Sequence, residues 1–174
     1  MIGPLSAVLM TAIASSLATT PSSDVPARPT FEAPSQGFSA SFPAPPQVIG
    51  HGPAGDDDSG YWIYAGRSNG ASYTVRIDQY PNSIRVPAPD ERAYDLLLRA
   101  HAVESSSRLK SEKSVGVGGL AGLEGDFVGE AGGGEHMRVV MVGRRIYQIS
   151  YTPAAGDGGE QGDAFLASFQ INPR

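Results

Sequence analysis

The 174-residue chain contains no cysteine. That excludes disulfides, a thiolate nucleophile, Cys-ligated metal and a lipid-modified N-terminal cysteine, so a folded domain must rest on its core alone. Charge is also scarce, at 18% of residues, and the net charge is −5. Arg144-Arg145 is the only adjacent basic pair. Phosphate binding needs a clustered positive face, so nucleic acid is not expected as a partner. Long hydrophobic runs are missing too. A membrane-spanning helix needs roughly 20 apolar residues, and the apolar stretch from Leu5 to about Leu17 falls short of that.

That stretch is nevertheless informative. No charged side chain precedes Asp24, and Ser16 and Ala18 occupy the −3 and −1 positions of a small-residue cleavage site. The pattern predicts a signal peptide over residues 1–18. It departs from a complete signal in having no Lys or Arg after Met1, and an uncleaved apolar tail or membrane anchor is the alternative. Cleavage would leave a periplasmic or secreted protein with no membrane segment. Pro21, Pro26, Pro29 and Pro34 then lie among Ser, Thr and Ala, a composition that buries little surface and blocks regular pairing. Residues 19–36 are expected to be a disordered tether, and residues 37–174 a single domain of a size that supports one core.

Within the domain the hydrophobic period is two, interrupted twice. Phe38, Ala40 and Phe42 alternate with Ser39 and Ser41, and Pro43, Pro45 and Pro46 end that strand. A Gly- and Asp-rich loop is expected from Gly50 to Gly60, then an aromatic strand over 61–65. Asn69-Gly70 is a hairpin turn signal. Tyr73, Val75 and Ile77 mark the core face of the next strand, with Thr74, Arg76 and Asp78 on a wet face. Asp90 predicts a helix N-cap, and Tyr94, Leu97, Leu98 and His101 recur at helical spacing, giving a helix over about 91–104. Strands follow over 109–117, 123–129, 135–142 and 145–152, then a helix over 160–168 and a last strand residue or two at Gln170-Ile171. The order predicts an α+β domain: an antiparallel β-sheet of about six to seven strands with helices packed on it.

The opening Gly37-Phe38-Ser39-Ala40-Ser41-Phe42-Pro43 resembles the first strand of small exported bacterial domains of the PsbP-like fold. So does the closing pair, Gly143-Arg144-Arg145-Ile146-Tyr147-Gln148-Ile149 followed by Phe165-Leu166-Ala167-Ser168-Phe169. The resemblance spans most of residues 37–171 and rests on structural, apolar positions. It implies a PsbP-like α/β sandwich and an accessory role beside a larger partner rather than chemistry.

No catalytic motif stands out. Gly-x-Ser-x-Gly is absent, and the Gly116–Gly119 and Gly132–Gly134 runs lack the lysine and the strand–helix context of a phosphate loop. His51, His101 and His136 show no metal-ligand spacing; His101 reads as a core-edge histidine. Asp56, Asp57 and Asp58 form the sharpest charged cluster. Without alternating acidic positions and a distal Glu it reads as a solvated loop rather than a calcium site. Tyr61, Trp62 and Tyr64 are the densest aromatic group, and they lie on alternate faces. They read either as a partner surface, with the Asp loop beside them, or as a second packed layer. The expectation is an exported, non-enzymatic accessory or binding domain with no cofactor or metal, meeting an unknown protein partner in the cell envelope. The alternative is a small-ligand-binding protein or enzyme with a site in the 50–67 loop, around His51, the Asp cluster and Arg67.

Overall fold

The computed structural model describes residues 30–52, 58–86 and 88–172. Ten strands and two helices follow one another along the described residues: β1 (Phe31–Ala33), β2 (Phe38–Ala40), β3 (Gln47–His51), β4 (Gly60–Ser68), β5 (Ala71–Gln79), α1 (Glu91–Glu104), β6 (Ser107–Val117), β7 (Leu120–Gly129), β8 (Gly134–Val142), β9 (Arg145–Thr152), α2 (Glu160–Ser168) and β10 (Gln170–Ile171). Seven strands form an antiparallel sheet in the order β3-β4-β5-β9-β8-β7-β6. The remaining three form a small sheet, β1-β2-β10.

Local chemistry accounts for the elements. Asn69 and Gly70 both have positive φ and turn β4 into β5, as the Asn-Gly pair requires. Asp90 caps α1: its side chain accepts from the Ala93 N–H at 2.8 Å. The helix then buries Tyr94 and Leu98. Strand β5 alternates buried and half-buried residues along its length.

The two layers covering the large sheet are offset. Opposed residues in the ladder share a face, so Tyr64, Val75 and Ile149 lie together, as do Tyr73 and Tyr151. That face, over β4, β5 and β9, carries the small sheet and α2, and Phe38, Phe42, Phe165 and Phe169 fill the space between. On the opposite face α1 covers β6, β7 and β8, closing a second cluster of Tyr94, Leu98, Leu123, Phe127, Met137 and Val139. Each face of the sheet is therefore covered over one half and open over the other. Burying each large apolar side chain contributes roughly 1.5–3 kcal/mol.

Two strands lie where none was expected. β1 falls inside the segment read as a tether, and β3 inside the Pro- and Gly-rich connection. The tether boundary at residue 36 is corrected by packing. Phe31 packs against Phe38, Phe42 and Tyr64 in tilted and edge-on pairs, with ring centroids 5.5–6.3 Å apart. Gln36 is only 9% exposed. Its Oε1 accepts from Tyr64 Oη at 2.8 Å, and its carbonyl accepts from Tyr147 Oη at 2.7 Å. Buried tyrosine hydroxyls need such partners, which draws the chain before Gly37 into the core. The signal-peptide segment, residues 1–18, lies outside the described residues. No helix among the described residues is long and apolar enough to cross a membrane.

Candidate functional site

The aromatic group divides by strand parity. Tyr64 points into the core, 4% exposed, and its place there removes it from any partner surface. Trp62 lies on the same face, half-buried against the core rim. Tyr61 points to the other face, opposite Asp78 of β5, and is 38% exposed. Asp58 adopts a positive φ of 49°. Its carbonyl accepts from Gln79 Nε2 at 2.7 Å, and its carboxylate takes a hydrogen bond from Asn82 Nδ2. Asp56 and Asp57 lie outside the described residues.

Among the described residues of the 50–67 site, the structure does not bring Asp58 and Arg67 together. Asp58 precedes β4 and Arg67 lies near its far end. At ~3.3 Å per residue, that separates them by over about 20 Å. The backbone of His51 pairs with Tyr61 at the Asp58 end.

A different constellation appears on the open half of the α1 face. Thr74, Arg76, Gln148 and Ser150 rise from β5 and β9, and His101 and Glu104 descend from the last turn of α1; together they line a cleft of about 240 Å³. Its charges are paired internally. Arg76 donates through Nε to Asp78 at 3.0 Å and through Nη1 to Glu104 at 3.1 Å. Gln148 Nε2 donates to Asp78 at 3.0 Å. His101 Nε2 lies 2.9 Å from Glu135 Oε2, and its ring meets Phe127 edge-on at 5.0 Å. Burial opposes charge on Glu135, but hydrogen bonds from His101 and Ser150 hold its carboxyl below the ordinary range. The wet-face parity of Thr74, Arg76 and Asp78 was readable in the sequence. The neighbourhood of β9 and the C-terminal end of α1 was not, because strand order is not local.

The open half of the opposite face carries a second polar set, laid out by register. One row runs Lys113, Glu124, Arg138 across β6, β7 and β8; the next runs Ser111, Asp126, His136. Glu124 is held at 2.6 Å by Lys113 Nζ and at 2.7 Å by Arg138 Nε. Desolvation works against its charge, and the two cations keep its carboxyl low. Asp126 sits between the other two side chains. It accepts from Ser111 Oγ at 2.6 Å, and His136 Nδ1 lies 2.7 Å away on its other oxygen. A hydrolase needs the hydroxyl on the imidazole and the carboxylate behind it. Here the carboxylate occupies the middle, so the order of a Ser-His-Asp triad is not met. Among the described residues no group of three or more His, Asp or Glu side chains could hold a metal ion.

Comparison with protein-family models gives no match, and comparison with curated proteins gives none either. Among solved structures, the chain is similar to "Cyanobacterial PsbP (CyanoP) from Synechocystis sp. PCC 6803", a solution structure. The TM-score is 0.56 at 10% sequence identity, over 82% of this chain and 91% of that one. At that identity the likeness concerns the fold and nothing further. A seven-stranded antiparallel sheet with helices packed on it and a small sheet beside it is, in this chain, a PsbP-like fold.

Proposed function

We propose that this chain is an exported, non-enzymatic binding domain that meets a protein partner of the cell envelope through the open half of its α1 face. One observation carries the reading: α1 leaves half of that face uncovered, and there Asp78, which accepts from Arg76 and Gln148 of the cleft, stands opposite the exposed Tyr61 in the ladder. An exposed Tyr and an Arg on one open face are the composition of a binding hot spot. Internally paired charges favour a polar protein surface over a single ion. Export is supported by the apolar segment ending at Ala18 and the small-residue cleavage pattern of Ser16 and Ala18. N-terminal sequencing of the exported protein should begin at Thr19; retention of Met1 in the cell envelope would remove the cleavage site.

The binding reading is tested by capture from cell-envelope extract. The wild-type chain should recover a defined protein that Tyr61→Ala and Arg76→Ala both lose. Equal recovery by the variants moves the surface elsewhere, and recovery of no specific protein counts against the accessory role. A second reading, a small polar ligand held in the same cleft, is favoured by the convergence of Thr74, Arg76, Gln148 and Ser150. Native mass spectrometry of the protein isolated from its own cells would then detect a bound molecule that Arg76→Ala loses.

A further inference from the structure

The two outer strands of the large sheet are treated in opposite ways. β6, at one edge, carries Arg108, Lys110, Glu112 and Lys113, and its register slips between Leu109 and Ser111, where Lys110 forms a bulge. Charged side chains, lysine above all, and a bulge are the devices that keep an edge strand from pairing with another chain. β3, at the other edge, has none of them. Its sequence is Gln-Val-Ile-Gly-His, it has no Asp, Glu, Lys or Arg, and it pairs with β4 in unbroken register. Val48 is 58% exposed and Ile49 is 55% exposed. Being consecutive, they point to opposite faces, so the edge is apolar above and below its row of outward N–H and C=O groups. Those backbone groups specify the occupant as another extended strand.

We propose that the occupant is a second copy of this chain, joined by antiparallel pairing of β3 with β3 about a two-fold axis. The axis passes at Ile49, the central residue, because that register alone uses the whole strand. Ile49 then opposes Ile49 of the second copy, Gln47 opposes His51, and Val48 opposes Gly50. The last pairing has a structural basis. A Cβ on Gly50 would lie 2.6 Å from the Tyr61 carbonyl oxygen and 2.9 Å from Trp62 Cα. The position is thus kept without a side chain, leaving room beside it for Val48 of the second copy. An uncharged strand meets itself without like-charge repulsion, and the interface is isologous, as a closed dimer requires. The two large sheets become one continuous sheet, with an open cleft on each half.

The test is sedimentation of the full chain over a range of concentrations, with hydrogen exchange at residues 47–51. A monomer–dimer equilibrium is expected, with the outward-facing amides of that strand, those not bonded to β4, protected only at concentrations where the dimer forms. Ile49→Lys and Val48→Lys, one on each face, should each weaken dimerisation at least roughly tenfold. Both positions are exposed, so unchanged circular dichroism and melting temperature separate lost pairing from lost folding. A monomer at every concentration up to about 1 mM would overturn the proposal. So would a dimer that both lysine variants leave intact.

Discussion

Gly162 in α2 lies against the ring of Tyr151. A Cβ there would fall 1.9 Å from Tyr151 Cδ1, which no rotamer adjustment of a fully buried ring relieves. Gly162→Ala gains helix propensity but overpacks the interface, so we expect a net loss of about 1–3 kcal/mol in denaturant unfolding. Acid sensitivity belongs to the same scale. Glu124, Asp126 and Glu135 all have carboxyls held below their ordinary range, against burial, by neighbouring cations, histidines and hydroxyls. A depressed folded-state pKa contributes stability that is present above the unfolded value, about 4, and is lost as pH falls through the folded one. Stability should therefore drop steeply below about pH 4. Glu124→Gln should flatten that slope while lowering stability at pH 7, in urea titrations run at both pH values. Strand parity separated Tyr61 from Tyr64 in the sequence. Which face the small sheet would cover was not legible, since that depends on Phe31 and Phe38 arriving from far along the chain.

At the level of elements, α1 was readable to its ends: Asp90 announces the start, and Tyr94 and Leu98 give the buried stripe. Asp90→Ala should cost about 1 kcal/mol in thermal or chemical unfolding, by leaving the Ala93 N–H without its acceptor. β9 and α2 were equally legible, because their apolar periods are unbroken. β1 and β3 were not. β1 is Phe-Glu-Ala, three residues between Pro29 and Pro34 and too short for its alternation to register as a period, and β3 puts Val48 and Ile49 side by side, which breaks the alternation. Both take their strand character from neighbours already in place, β2 and β4. Tertiary pairing outweighs weak local preference in such short segments.

For the whole molecule, the domain boundary is the first quantity to test. A chain starting at residue 37 discards Phe31 and the Gln36 side chain that receives Tyr64. It should unfold at lower urea concentration than one starting at residue 30, by about 1–3 kcal/mol, the scale of burying a single large apolar side chain, since Phe31 is half-buried. Equal midpoints would return β1 to the tether. The offset of the two covering layers has a further consequence. His101 sits under α1 against Phe127, while His136 stacks beside Tyr151 at 6.3 Å on the side of α2. His101 and His136 thus place one imidazole on each side of the sheet, and the third histidine, His51, gives a separate signal. The ring resonances of His101 and His136 form a built-in pair of spectroscopic reporters. A partner that settles on one side will disturb one signal and spare the other, so the occupied side can be read without any label.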